Sequence, residues 1–204
     1  TATPKNIAVV GAGPAGLSFA LVAAQRGHAV TLFDADTRIG GQFNVAKQIP
    51  GKEEFHETLR YFDVMLAKHG VKRSLGKRVS VTDLAGFDEV VLATGIMPRR
   101  LDIEGLDHPS VMSYLEVLRD KKPVGKRVAI IGAGGIGVDT AEYLTHAPDH
   151  RPSSLDIPTF LREWGIDPSL QARGGIEGVK EEVDPSPREV YLLQRTSTKI
   201  AGPG

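Results

Sequence analysis

Val9-Val10-Gly11-Ala12-Gly13-Pro14-Ala15-Gly16 has the spacing G-x-G-x-x-G, and its surroundings decide the fold. Ahead of it, Asn6 to Val10 is a short β-branched apolar run. Behind it, Ala15 to Arg26 is rich in alanine and leucine until Gly27 stops it. That order predicts a strand, a tight turn and a helix. Gly11 permits the sharp turn, Gly13 leaves no side chain where a pyrophosphate approaches, and Gly16 lets the helix lie close to the strand. Backbone N–H groups at the helix start face the phosphates. Ala29 to Phe33 then forms a second buried strand ending at Asp34, where a carboxylate accepts hydrogen bonds from a ribose diol. Three glycines alone are also compatible with a ligand-free turn. The two strands, the helix and the terminal acid together point to dinucleotide binding.

The arrangement recurs at Ile131-Gly132-Ala133-Gly134-Gly135-Ile136-Gly137, after a strand over Val128 to Ile131 and before a helix running to about His146. Gly132, Gly134 and Gly137 take the three roles, and Gly135 and Ile136 open the helix beside the ligand. The returning strand, Val190 to Leu193, leads into Gln194 and Arg195 with no carboxylate, and Lys199 follows. A guanidinium there suits a 2′-phosphate by bidentate hydrogen bonding, whereas an acid repels it. The alternative is that Arg195 and Lys199 are solvated surface charges, but the pattern favours the phosphate role, and the second nucleotide is therefore expected to be NADPH rather than NADH. Two such loops in one short chain imply two nucleotides meeting for hydride transfer, with FAD in the first loop and NADPH in the second.

The expected fold class is α/β, with two Rossmann-like units that bind FAD and NAD(P), the second incomplete. The FAD-binding part is expected over residues 1–120 and the NADPH-binding part over 121–204, with a long insertion at about 147–188. Between the loops, Phe55, Leu59, Phe62 and Leu66 recur at helical spacing until Gly70. Val71 to Ser74, Arg78 to Val81 and Val90 to Ala93 are strand candidates, the last leading into Thr94 and Gly95. Ser113 and Glu116 have capping-box spacing. The stretch from Ala147 to Arg188 is rich in Pro, Ser and Gly, and Ile157 to Trp164 within it is compatible with a short helix.

Composition sets the outer limits. The 204 residues carry 25 acidic and 25 basic side chains, so neither nucleic acid nor an anionic membrane is favoured, and any anion site must be local. No apolar run approaches the roughly 20 residues that span a bilayer, which points to a cytoplasmic protein. With no cysteine the chain holds no disulfide, thiolate zinc site or Cys-ligated cluster, so redox chemistry falls to organic cofactors. No metal site is expected: His146 and His150 are four apart, but Pro148 breaks the helix between them.

Further stretches carry a more specific resemblance: Ile39-Gly40-Gly41-Gln42-Phe43, Lys47-Gln48-Ile49-Pro50-Gly51-Lys52, Ala93-Thr94-Gly95 and Trp164-Gly165-Ile166-Asp167. With the two glycine loops, Asp34 and Gln194-Arg195, they resemble the C-terminal nucleotide-binding half of bacterial-type NADPH-dependent 2,4-dienoyl-CoA reductases, through the whole chain. The resemblance implies a larger enzyme, in which a β/α barrel with FMN and an iron–sulfur cluster precedes these domains. There NADPH gives a hydride to FAD, electrons pass singly through the cluster to FMN, and FMN reduces the conjugated thioester. The barrel and the segment that completes the FAD domain are absent from these 204 residues. The chain alone is therefore expected to be inactive on the thioester, with the barrel portion as its partner.

Carried over by position, Gly11, Gly13, Pro14, Ala15, Gly16, Asp34, Ala35, Gly41 and Gln42 hold the FAD pyrophosphate and adenosine. Ala93, Thr94 and Gly95 lie near FAD at a strand end. Arg60 and Val79 fall near adenine or flavin, or support the fold. Asp139 lies near the nicotinamide, or complements the helix dipole. The competing class is a module without hydride transfer, like amine-dehydrogenase-like relatives that hold ADP structurally. A thioredoxin-reductase-like enzyme is disfavoured because the Cys pair that would carry its chemistry is missing.

Overall fold

A computed structural model describes residues 1–99 and 101–195. The chain divides into two compact units, one of Thr1–Lys47 with Glu54–Val111 and the other of Gln48–Glu53 with Met112 onward.

The first unit is a four-stranded parallel sheet in the order β3-β2-β1-β4, formed by β1 (Asn6–Val10), β2 (Ala29–Phe33), β3 (Lys72–Ser74) and β4 (Glu89–Leu92). Ile7 pairs with Val30 on one side and Glu89 on the other, so β1 is central and buries Ile7, Ala8 and Val9. Helix α1 (Pro14–Gln25) buries Gly16, Leu17, Ala20, Leu21 and Ala23, and it ends where Gly27 takes φ +89°. After a single turn, α2 (Phe43–Ala46), helix α3 (Glu54–Lys68) turns Leu59 and Leu66 into the same core. Each fully buried leucine contributes about 1.5–3 kcal/mol by leaving water. The expected helix and the strands at 6–10, 29–33, 71–74 and 90–93 thus agree with the structure to within a residue or two.

Arg78 to Val81 is not a strand. Val81–Leu84 is a 3₁₀ turn capped by Ser80, whose hydroxyl and backbone both engage Asp83. The local capping box outweighs the β propensity of Val79 and Val81.

In the second unit β5 (Arg127–Ile131) and β6 (Glu189–Leu193) pair in parallel, Arg127 opposite Glu189 and Ile131 opposite Leu193. Helix α4 (Tyr114–Leu118) starts at the expected capping box, Ser113 Oγ accepting from Glu116 N–H at 3.3 Å. Helix α5 (Gly135–Thr145) buries Thr140 and Leu144, and Thr140 returns its hydroxyl to Ile136 O at 2.7 Å. The long connection between α5 and β6 is ordered by its own polar contacts. Asp156 caps α6 (Ile157–Glu163) through Thr159 N–H, Asp167 accepts from Ser169, Gln171 and Ala172 N–H, and Arg162 grips Asp184 at 3.0 and 3.2 Å. His146 and His150, outside the helix that ends at Thr145, lie with ring centroids 4.4 Å apart and planes tilted by 51°. Among the described residues no group of three or more His, Asp or Glu is placed to hold a metal ion, and no helix is long and apolar enough to cross a membrane.

Candidate dinucleotide sites

The first glycine loop leaves the carboxyl end of β1, where the chain's later strands fall on opposite sides, β2 and β3 to one and β4 to the other. A parallel sheet opens a crevice at such a switch point. Gly11 N–H donates to Phe33 O at 2.7 Å and Ala93 N–H to Val10 O at 2.8 Å, so the loop begins between two strand ends. Gly11 has φ +111°, and a Cβ there would lie 2.2 Å from Ala93 O. A Cβ on Gly16 would lie 1.8 Å from Gly11 O. Both positions therefore require glycine on steric grounds.

Gly13 differs from them. Its φ of −76° and ψ of 179° are open to any residue, and a Cβ would meet nothing within 4 Å. Sterics inside the protein do not demand glycine here, and the space beside it is open. Gly13 caps α1, Pro14 occupies the first helical position, where an N–H has no acceptor anyway, and the first helical bond is Leu17 N–H to Gly13 O at 2.9 Å. The N–H groups of Ala15 and Gly16 precede that bond and lack an intrahelical acceptor. With the helix dipole, such free N–H groups are suited to an anion.

Asp34 ties the loop to β2. One carboxylate oxygen accepts from Ala12 N–H at 2.5 Å and the other from Asp36 N–H at 2.8 Å, with Ala35 exposed between. A carboxylate has about four lone-pair directions, so two remain for a ribose diol. The segment 39–42 crosses the loop. Gly40 N–H donates to Ala12 O at 2.7 Å, and a Cβ on Gly41 would stand 3.0 Å from Gly13 Cα, which explains a glycine there. Gln42, exposed, caps α2 beside it.

The structure thus brings Gly11, Gly13, Gly16, Asp34, Gly41 and Ala93 together, with Thr94 and Gly95 (φ +72°) just past the β4 end. Val79 follows the stretch in which Gly76 and Lys77 N–H donate to Asp36 O and Asp34 O. Arg60 lies on the exposed face of α3, its Nε 2.6 Å from Glu57.

The second loop has the same backbone. Gly132 has φ +116° and donates to Leu193 O at 2.8 Å, Gly134 caps α5 with φ −79° and ψ −178°, and a Cβ on Gly137 would lie 1.8 Å from Gly132 O. A Cβ on Gly134 meets nothing, like that on Gly13. Gly135 and Ile136 form the exposed first turn. A Cβ on Gly132 also meets nothing, because β5 pairs with β6 alone among the described residues and has no counterpart of the β4 end. Arg195 is exposed just beyond β6, and Lys199 lies outside the described residues.

Asp139 has a partner the sequence did not reveal. Lys52 Nζ lies 2.7 Å from both of its carboxylate oxygens, with side chains 38% and 31% exposed. These residues are 87 apart, and a lysine after a glycine gives no local sign of such a pair.

Comparison with known proteins agrees with this geometry. The chain is 40% identical over 143 residues to the cinnamate reductase of Clostridium sporogenes, covering 69% of this chain and 21% of that protein. Among solved structures, a 2-naphthoyl-CoA reductase complex superposes with TM-score 0.69 at 27% identity, over 95% of this chain and 33% of its own. Histamine dehydrogenase from Rhizobium sp. 4-9 superposes with TM-score 0.60 at 26% identity, over 70% and 24%. The chain spans about a fifth to a quarter of the length of the curated relatives from Clostridium sporogenes, Mediterraneibacter gnavus and Thermoanaerobacter brockii. The profile of pyridine nucleotide-disulphide oxidoreductases matches residues 5–193, from the first strand to the end of β6. With two loops of one geometry, each at a strand end and a helix start, the chain belongs to the pyridine nucleotide-disulphide oxidoreductase family, as a nucleotide-binding module of a flavoprotein oxidoreductase.

Proposed function

We propose that this chain is the electron-input module of a flavoprotein reductase of the 2,4-dienoyl-CoA reductase type, binding FAD at the first loop and NADPH at the second. One contrast carries the reading: two loops of matching backbone end in chemically opposite residues, Asp34 after β2 and Arg195 after β6. A carboxylate suits the ribose diol of FAD, and a guanidinium suits a 2′-phosphate.

When bound, the nicotinamide supplies a hydride and the flavin accepts it. The chain's own residues bind and orient. Ala15 and Gly16 N–H, and their counterparts at the start of α5, hold phosphates. Asp34 fixes the adenosine end of the first nucleotide, and Ala93 to Gly95 lie near FAD. Asp139 would lie near the nicotinamide, where a carboxylate would favour the oxidised, cationic form of the ring. Lys52 offsets part of that charge, so that Asp139 does not repel an incoming polyanionic nucleotide. The names cinnamate reductase and 2-naphthoyl-CoA reductase support a conjugated acid or thioester as the whole protein's substrate class. FMN and an iron–sulfur cluster belong to the barrel portion of such a protein, not to this cysteine-free chain.

The likeness to histamine dehydrogenase favours one competing reading, in which the first loop holds ADP as a structural ligand. Adding NADPH anaerobically to the purified protein separates the two. Bleaching of a bound flavin supports hydride transfer, whereas extracted ADP without flavin refutes it.

A further inference from the structure

The long connection between α5 and β6 reaches the segment 48–53 at a point beside the Lys52–Asp139 pair. Ser154, in the 3₁₀ turn Ser153–Leu155, donates its hydroxyl to Glu53 Oε2 at 2.5 Å. The other Glu53 oxygen accepts from Gly51 N–H at 3.0 Å, and Lys52 N–H donates to Ile49 O at 3.0 Å. Ile49, only 2% exposed, anchors the start of this turn. Glu53 therefore bridges the turn that presents Lys52 and the connection that carries Ser154.

We propose that Ser154 is a positioning residue for the NADPH site: through Glu53 it holds the Gly51-Lys52 turn so that the Lys52 ammonium stays on Asp139. This rests on the assignment of NADPH to the second loop. A lysine has a long stem with several rotors, and confining it to one carboxylate is entropically unfavourable unless its backbone is already fixed. Gly51, with φ +83° and open space around it, does not fix that backbone sterically, so hydrogen bonds hold the turn: Lys52 N–H to Ile49 O within it, and Gly51 N–H to Glu53, which Ser154 in turn secures. The connection can act as a rigid support because it is closed on itself. Asp156 caps α6 directly after the 3₁₀ turn, and Arg162 fastens α6 to Asp184 and to Glu182 O. Losing Ser154 frees the turn, lets Lys52 leave, and exposes an uncompensated Asp139 charge to an incoming polyanionic nucleotide.

The test uses the full chain with Ser154→Ala, Ser154→Thr and the wild type. Calorimetric titration with NADPH gives affinity, amide hydrogen exchange at Gly51 and Lys52 reports the turn, and thermal melting reports global stability. Ser154→Ala is expected to bind NADPH about three- to tenfold more weakly, the range of a typical net hydrogen bond, because the lost bond is exposed and acts on the site only through the turn. It exchanges Gly51 and Lys52 amides faster by a similar factor, with the melting temperature unmoved. Ser154→Thr, which keeps the hydroxyl, restores both. Wild-type exchange rates or wild-type affinity in Ser154→Ala overturn the proposal, as does a lowered melting temperature that Thr does not rescue. A wild type that fails to bind NADPH refutes the nucleotide assignment instead, and the exchange rates still decide whether Ser154 holds the turn.

Discussion

Replacing Gly134 by alanine separates what the second loop does for folding from what it does for a ligand. At Gly134, φ −79° and ψ −178° suit any residue, and an added Cβ meets nothing within 4 Å. Two small terms oppose each other in stability. Alanine is a poorer N-cap than glycine by about 0.5–1 kcal/mol, and it narrows the unfolded ensemble by about 0.4–1 kcal/mol. The net change is within about 0.5 kcal/mol, which in a chain of this size moves the melting temperature by no more than about 2 °C. The methyl group nevertheless fills the open space that the proposed function assigns to phosphate. Loss of one or two hydrogen bonds to a charged group, at about 1.5–3 kcal/mol each, weakens NADPH by at least tenfold. Gly137→Ala is the contrasting control. Its Cβ would lie 1.8 Å from Gly132 O, a backbone atom, and must retreat by about 1.2 Å to reach the 3.0 Å that real contacts respect. Such overpacking costs about 1–3 kcal/mol or more. Thermal melts and NADPH titrations of both variants provide the comparison. A Gly134→Ala protein that binds NADPH like the wild type would refute the placement of phosphate at this loop.

Arg195→Ala is expected to remove most of the preference for NADPH over NADH, because only the 2′-phosphate loses a partner; the ratio of the two dissociation constants measures this, and an unchanged ratio removes the assignment. Glu116 offers a pH test. Lys122 Nζ at 2.5 Å, then Ser113 N–H and hydroxyl, hold its carboxyl down from 4.5 to about 2. A depressed folded value means that this cap stabilises α4 fully above about 4.5 and is lost as pH falls through about 2. Titration of the Glu116 carboxyl carbon by NMR checks it, and a midpoint near 4.5 contradicts the contacts.

The parts legible in the sequence were those whose causes are local. The three-glycine loops, the apolar strands before them and the Ser113–Glu116 capping box each act within a few residues. The mistaken strand at Arg78 to Val81 was legible too, since Ser80 and Asp83 have capping spacing and that signal outweighs alternating valines. Lys52 with Asp139 and Ser154 with Glu53 were not legible, because partners 87 and 101 residues apart leave no periodic trace.

From sequence alone came the two-loop plan and the acid and base that distinguish the loops, since glycine spacing and charge are properties of a short stretch of chain. The tertiary structure decided which glycines are required by the protein's own packing and which are not. Gly11 is crowded by Ala93 O and Gly16 by Gly11 O, while Gly13 and Gly134 face open space. That distinction depends on atoms contributed by strands and segments distant in sequence, and it exists only once the sheet is assembled.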